Sequence, residues 1–362
     1  MNNNLDVKKV LHWVSDQLQM QDSMCVTHPE QSFSETMLPL SFAGKLTCPM
    51  LLVLHDTVEL ALRKQWKRSG ERGRFMISAR AAQQAWLDDH LRRAAPDKLP
   101  EIILGETLGI ACSDQFQTTR IEKGLFADFY VRLPGAVYRD NGILDQLHQF
   151  TALGIIPFVL VFDSRFNLPA PDGWEALLDP IYHQQIILGG ANGKINDNLL
   201  LYLHKNFGYE GVEAFAKNIK NTWLHVQIAK RVGSGYAGCG ALFVLPYAIA
   251  LQCAQKPNLT LIWPKEGAYV QVMYLLAKKD RSQGAQAVLE SLMGEQFART
   301  LNQNGYPPAY PLDKECLPKG AALDWLGWDY IRNQSLDPLL AELAALLQSN
   351  IPGFFEGEGV IR

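Results

Sequence analysis

The amino-acid sequence predicts an α/β protein built from two lobes. Segments typical of strands alternate with segments typical of helices over most of the chain, and this alternation indicates a parallel sheet covered by helices on both faces. The length of 362 residues allows two domains of ordinary size. Hydrophobic residues make up 48% and charged residues 20%, as in most folded globular proteins. Each lobe is therefore expected to have its own core.

The first part of the chain supplies the first three predicted strands. Apolar residues at helical spacing over residues 5–19 predict a short amphipathic helix ahead of the main fold. Strands are then predicted over residues 42–47, 74–79 and 101–105, with helices over 51–67 and 81–93 between them.

A buried strand is predicted for residues 154–163, because GIIPFVLVFD is short and rich in Ile, Val and Phe. This strand is expected to cross from one lobe to the other. Further strands are predicted over 185–188, 241–245 and 259–263, the last as the return crossing. Helices are expected over residues 197–207, 211–221, 271–279, 282–292, 295–302 and 338–348.

Charge and cysteine usage narrow the partners and the compartment. The formal net charge of −3, with both signs mixed, gives no field that would attract nucleic acid. No apolar run approaches the roughly 20 residues of a membrane span, and no basic-then-apolar leader begins the chain. The six cysteines form no CxxC pair. These patterns predict a cytoplasmic protein without membrane insertion; a chain whose leader had been removed would instead be periplasmic.

Four ordered stretches resemble motifs of a known family. They are PDGWEALLDPIY at 171–182, KRVGSGYAGCG at 230–240, WPKEGA at 263–268, and the helical stretch 285–294 followed by Tyr306-Pro307-Pro308. Together they resemble the type 2 periplasmic-binding-protein family, in the branch of ABC-transporter solute-binding proteins that includes ferric-iron, polyamine and phosphonate binders. The resemblance runs in the expected order over residues 45–350.

The resemblance implies a hinged clamp. Residues 41–160 and 265–362 would form the first lobe, residues 161–264 the second, and residues 1–40 an N-terminal helical extension. Two crossing strands would act as hinges, and closure would bury a ligand in the cleft between the lobes. The expected partners are a small-molecule or ion ligand and an ABC transporter permease.

The carboxyl ends of the strands give the candidate binding residues, because ligands of open α/β sheets gather there. Small polar residues at such positions are also common helix caps, so both interpretations stay open. The candidates in the first lobe are Thr47, Cys48, Met50, Ser78, Arg80, Gly105, Glu106 and Thr107. In the second lobe they are Gly190, Ala191, Asn192, Cys239, Phe243 and Tyr247, with Glu266 on the returning segment.

Three of these features have sharper alternatives. The run Gly189–Gly193 (GGANG) could bring backbone amides close to an anion or could be an ordinary turn, and it lacks a nucleotide-binding pattern. Cys48 and Cys239 could be reactive thiolates or inert buried thiols. The adjacent tyrosines of the ferric branch are absent from residues 240–247, where Tyr247 stands alone.

The sequence therefore predicts reversible binding of a small anionic or zwitterionic solute, or of a metal complex, without catalysis and without a cofactor. The function would be related to ABC transport, or to a cytoplasmic carrier or sensor derived from it. The alternative is an enzyme on the same fold that uses Cys48 or Cys239 as nucleophile or cofactor anchor, although no catalytic motif is recognisable.

Overall fold

The structure, a computed structural model, describes residues 24–26, 39–46, 50–78, 81–106, 108–191 and 194–351. The helix predicted over residues 5–19 lies outside this part of the chain. The described strands are β1 (Phe42–Gly44), β2 (Phe75–Ile77), β3 (Ile102–Glu106), β4 (Phe126–Ala127), β5 (Thr151–Asp163), β6 (Ile186–Ala191), β7 (Lys194–Ile195), β8 (Ile219–Trp223), β9 (Leu242–Pro246), β10 (Leu259–Ile262), β11 (Ala268–Lys278) and β12 (Leu323–Asp324).

The described helices alternate with these strands, as the sequence predicts. They are α1 (Leu51–Ser69), α2 (Ala81–Arg93), α3 (Asp114–Phe116), α4 (Ala136–Asp140), α5 (Asp197–Asn218), α6 (His225–Arg231), α7 (Tyr247–Cys253), α8 (Gln283–Leu292), α9 (Glu295–Gln303), α10 (Trp328–Asn333) and α11 (Leu336–Asn350). The predicted α/β class is thereby confirmed.

The chain divides into two compact units. The first contains the described residues up to Gly154 together with Val272–Glu315, and the second contains Ile155–Gln271 and the described residues from Cys316 onward. Strands β5 and β11 each have residues in both units. The chain therefore passes between the units within these two strands and once more after Glu315.

The first unit is built on a sheet in the order β2, β1, β3, β11. The strands β1, β2 and β3 are parallel, whereas β11 runs antiparallel to β3 and also pairs with β4. Helix α1 packs against α8. It ends at Gly70, whose left-handed φ of 74° lets its N–H donate to the Trp66 carbonyl, a conformation that glycine adopts readily.

In the second unit, strand β6 lies between β8 and β9 and runs parallel to both. Strand β5 is antiparallel to β9 and to β10. The core of this unit includes Val161, Phe243 and Leu245, which are completely buried. Helix α5 is interrupted at Gly208, with φ 65° and ψ −170°, between the two helices that the sequence predicts here.

Two predicted elements differ from the structure. Residues 271–279 are predicted to be helical, but residues 271–278 belong to the fully buried strand β11. An apolar run that is buried on all sides has no amphipathic period, so its pattern cannot separate strand from helix. The return crossing is this strand and not residues 259–263, of which 259–262 form β10 and pair with β5 within the second unit. Strand β8 has no counterpart in the prediction.

The C-terminal segment also differs from its expected place, since residues 265–362 were assigned to the first lobe. In the structure the described residues from 316 onward belong to the second unit. Helix α11 packs against α5, where the Tyr209 hydroxyl donates to Glu342 at 2.7 Å. Leu343 and Leu347 of α11 are buried, and this apolar face anchors the segment.

Candidate functional site

The first unit gathers polar side chains at one edge of its sheet. Because β1, β2 and β3 are parallel, their carboxyl ends lie at the same edge. Lys45 follows β1, Ser78 follows β2, and Glu106 is the last residue of β3. The antiparallel strand β11 adds Tyr274, which lies opposite Gly105 in the strand pairing. Two predicted residues, Gly105 and Glu106, are thus adjacent in this group.

Gly105 is required by the position of the Tyr274 ring. A Cβ atom at residue 105 would lie 2.5 Å from the Tyr274 hydroxyl oxygen, and one at Gly109 would lie 3.5 Å from it. Tyr274 is 2% exposed, and burial holds the pKa of its hydroxyl well above the usual value. Tyr274 therefore presents a neutral hydroxyl over Gly105, the residue before Glu106.

One oxygen of the Glu106 carboxyl group lacks a hydrogen-bond donor in the described part of the chain. This oxygen, Oε1, is buried and has no hydrogen-bond partner among the described residues. Burial raises the pKa of the Glu106 carboxyl, and the charge of Lys45 partly opposes this shift. A buried polar atom without a partner costs free energy, so this position would gain from a bound donor.

Ser78 takes part in a chain of side-chain hydrogen bonds that starts at the end of β2. Its hydroxyl donates to Gln84 Oε1 at 2.6 Å, and Gln84 Nε2 donates to Asp88 Oδ1 at 2.8 Å. Burial raises the pKa of the Asp88 carboxyl, against the opposing effects of the Gln84 bond and of the charges on Arg92 and Lys45. Because Ser78 is only 2% exposed, its hydroxyl is directed to Gln84 and holds that side chain in place.

The second unit has an equivalent edge at the carboxyl ends of β6, β8 and β9. Gly189, Gly190 and Ala191 end β6, His225 follows β8, and Tyr247 follows β9. The His225 ring packs directly on Gly189, because a Cβ atom there would lie 2.0 Å from Nε2. Burial lowers the pKa of His225, which favours the neutral imidazole.

The predicted glycine-rich turn is in part a paired strand. Gly190 and Ala191 continue β6 and pair with Ile195 and Lys194 of β7. Strand pairing engages backbone groups that an open turn would leave free for an anion. The close approach that glycine permits is used at Gly189 by His225.

Four further predicted residues have contacts within their own unit. Met50 and Phe243 are completely buried, and Tyr247 and Cys239 are 6% and 3% exposed. The Tyr247 hydroxyl donates to the Cys316 carbonyl at 3.4 Å. Burial raises the pKa of the Cys239 thiol, which favours the protonated form and not a reactive thiolate.

Glu266 stabilises a turn of the second unit. Its carboxylate accepts hydrogen bonds from the Trp174 and Glu175 backbone N–H groups at 3.0 and 3.4 Å. It also packs on Gly173, where a Cβ atom would lie 2.1 Å from Oε2. The motif PKEGA is thereby tied to the motif PDGWE. The remaining predicted residues, Thr47, Cys48, Arg80, Thr107 and Asn192, lie outside the described residues.

Several residues of these two edges were absent from the sequence-based prediction. They are Lys45, Gln84, Asp88, Tyr274 and His225. Tyr274 was missed because its strand was predicted as a helix, and His225 was missed because β8 was not predicted. Lys45 could have been found, since it follows a predicted strand directly.

The described part of the chain contains neither a metal-binding cluster nor a membrane-spanning helix. There, no three side chains of His, Cys, Asp or Glu lie close enough together to hold a metal ion. None of the described helices combines the length and the hydropathy that a bilayer crossing demands.

Solved structures with the same fold are known. A Trichodesmium protein in complex with iron and citrate ligands aligns with a TM-score of 0.57 and 12% identity, over 85% of this chain and 98% of its own. A spermidine/putrescine ABC transporter substrate-binding protein from Streptococcus pneumoniae gives 0.52 and 11%, over 86% and 100%. The periplasmic binding protein AfuA from Actinobacillus pleuropneumoniae, with fructose-6-phosphate bound, gives 0.57 and 13%, over 88% and 99%.

These similarities show the two-lobed periplasmic-binding-protein fold of type II, and the resemblance found in the sequence is confirmed. A search of curated protein sequences found no match. The model of the bacterial extracellular solute-binding protein family matches residues 97–334, which is more than half of the 362 residues. The chain belongs to the bacterial extracellular solute-binding protein family.

Proposed function

We propose that this protein is the substrate-binding component of an ABC transporter and that it delivers a small charged solute to a permease. The observation that carries the proposal is the family match over residues 97–334. The same fold is used by a substrate-binding protein of an ABC transporter. The proposed place of action is outside the cytoplasmic membrane, in line with the extracellular family, and fractionation of the native host cells tests it.

The strand ends of each unit supply the proposed solute contacts. In the first unit these are Glu106, Tyr274 and Lys45, and in the second unit His225 and the end of β6. Strand ends are favoured ligand positions in α/β sheets. The ionisable groups of Glu106 and Lys45 support a solute that is itself charged.

Binding without catalysis is favoured over the enzyme alternative. Cys239, one of the two cysteines considered as nucleophiles, belongs to a cluster of buried hydrophobic residues. Its Sγ lies 3.5 Å from the Arg231 carbonyl oxygen, to which the thiol donates. A protonated, buried thiol is a poor nucleophile.

A thermal-shift screen tests solute binding. The panel contains iron(III) citrate, spermidine, fructose 6-phosphate, inorganic phosphate and the common amino acids. A ligand at 100 times its Kd stabilises the folded state by about 2.7 kcal/mol, which raises the Tm by several degrees in a two-lobed protein. Sodium chloride at matched ionic strength is the control. The proposal is contradicted if no solute of any class raises the Tm beyond that control.

A further inference from the structure

The carboxylate of Glu106 offers an acceptor for which the described protein supplies no donor. Its Oε1 atom is buried and has no hydrogen-bond partner within the described ranges of the chain. The residue ends strand β3 at the edge where ligands of α/β sheets bind. Buried carboxylates are normally satisfied by cationic or N–H donors. A bound group that donates hydrogen bonds would satisfy this one.

The surroundings of Glu106 favour a positive charge. Asp88 and Glu106 both act electrostatically on the Tyr274 hydroxyl, and Lys45 is the basic group that acts on both carboxylates. The Asp88 carboxylate already accepts a hydrogen bond from Gln84, whereas Glu106 Oε1 accepts none from the described residues. An ionised Glu106 carboxylate without a donor among the described residues favours a cationic group over a purely anionic solute.

Gly105, the residue before Glu106, is covered by the Tyr274 ring. Gly105 carries no side chain, and the Tyr274 hydroxyl occupies the space that a Cβ atom would take. Because successive side chains of a strand point to opposite faces, the Glu106 side chain leaves β3 on the face opposite to this hydroxyl. An ammonium group has three N–H donors, one of which could satisfy the Glu106 Oε1 atom.

We propose that the solute carries a protonated amine and that the Glu106 carboxylate binds this ammonium group. The proposal rests on the proposed function as a solute-binding protein. It narrows the solute class from charged solutes in general to amines and amine-bearing zwitterions. Lys45 gives a zwitterion a partner for its anionic group.

Matched pairs of probes test the amine requirement by isothermal titration calorimetry. The pairs are putrescine with butane-1,4-diol, glycine with glycolate, and 2-aminoethylphosphonate with ethylphosphonate. At least one amine is expected to bind, with an affinity at least about tenfold above that of its amine-free partner, as expected for the loss of one charge-assisted bond. Equal affinity for both members of each pair that binds would overturn the inference.

Three variants test the residue. Glu106→Gln removes the charge and keeps the shape, Glu106→Asp keeps the charge, and Glu290→Gln is the control at an exposed site on α8. Glu106→Gln is expected to weaken amine binding at least about tenfold and to raise the Tm of the ligand-free protein, because an unsatisfied buried charge is removed. Glu106→Asp is expected to bind more tightly than Glu106→Gln, and Glu290→Gln is expected to bind as the unmodified protein does.

The outcomes separate the two proposals. If no probe and no member of the thermal-shift panel binds, the proposed function fails and the inference fails with it. If iron(III) citrate or an amine-free anion binds and Glu106→Gln leaves that affinity unchanged, the protein is a solute-binding protein and the amine inference alone is wrong. Amine binding that survives Glu106→Gln unchanged also overturns the inference.

Discussion

Asp145 holds the turn that leads into β5 through hydrogen bonds to the backbone. Its carboxylate accepts from the N–H groups of Leu147, Gln149 and Phe150 at 3.0, 2.9 and 3.0 Å, and the residue is 3% exposed. A short acidic side chain that binds its own chain a few residues onward is a common turn device. The charge makes these bonds stronger than neutral ones.

Replacing Asp145 with Asn is expected to destabilise the protein by about 2–4 kcal/mol, because the amide NH2 group would face backbone donors and leave at least one buried N–H unsatisfied. Urea denaturation monitored by circular dichroism measures the change in the free energy of unfolding. Asp140→Asn, at an exposed position of α4, is the matched control. A change within 0.5 kcal/mol for both variants would show that the three bonds contribute little.

His225 gives the second unit a defined pH dependence. Burial against Gly189 lowers its pKa below the ordinary 6.5 in the folded protein. As the pH falls through about 6.5, the unfolded chain takes up a proton that the folded protein binds less readily. His225 is therefore expected to cost stability on the acid side of neutrality and not above it.

The variant His225→Gln is expected to lose the most stability relative to the unmodified protein at pH 8 and less at pH 5.5, because glutamine does not titrate. Denaturation at both pH values gives the difference in the free energy of unfolding. His183→Gln, at an exposed histidine of the same unit, controls for a general effect. A difference that grows towards pH 5.5 would contradict the assigned direction.

At the scale of elements, the sequence predicts most helices and strands. It fails at a strand that is buried on both faces and at a strand with polar residues at its centre. Helix α2 has the predicted bounds, and the interruption of α5 at Gly208 separates the two helices expected there. Strand β11 is apolar on both faces, so its pattern carries no period. Strand β8 reads IKNTW, with polar residues at its centre, and polar residues weaken the strand signal.

Gly240, the last residue of the KRVGSGYAGCG motif, packs directly against the backbone of Gln185. A Cβ atom there would lie 2.0 Å from the Gln185 carbonyl oxygen and 2.6 Å from its carbon. Both atoms belong to the backbone just before β6, so no rotamer change could relieve the contact. The same Gln185 carbonyl accepts a hydrogen bond from the Leu242 N–H group, two residues after Gly240.

Gly240→Ala is expected to destabilise the protein by about 3 kcal/mol or more, because the backbone at the joint of β6 and β9 must shift. Gly135→Ala is the control, since its Cβ atom would meet nothing closer than 3.5 Å. Thermal denaturation of both variants compares the cost. Equal Tm values would mean that the backbone at residues 185 and 240 can shift at little cost in free energy.

At the scale of the whole molecule, the order of strands is what the sequence cannot provide. Gly105 and Tyr274 are far apart in the chain and become neighbours only through the antiparallel pairing of β3 with β11. The same holds for Gly189 and His225, which meet because β8 pairs with β6. Strand ends could be predicted as ligand positions, but the contacts that arrange their side chains depend on this non-local pairing.

Local patterns alone indicate only that strands alternate with helices. The two-lobed fold is predicted from the resemblance to a known family. This resemblance did not supply the place of the C-terminal segment, which is fixed by the apolar face of α11 against α5. The chain thus passes between its units three times where two passages were expected. The bounds of the two units are decided by packing and not by the crossing strands alone.

Hydrogen–deuterium exchange with a saturating solute tests the central claim that the strand ends of the two units bind a solute. The solute is whichever panel member gives the largest thermal shift. Slower exchange is predicted at residues 104–110 in the first unit and at residues 187–191 and 223–228 in the second, while α8 and α9 stay unchanged. Unchanged exchange at the strand ends, with protection confined to other surfaces, would contradict the account.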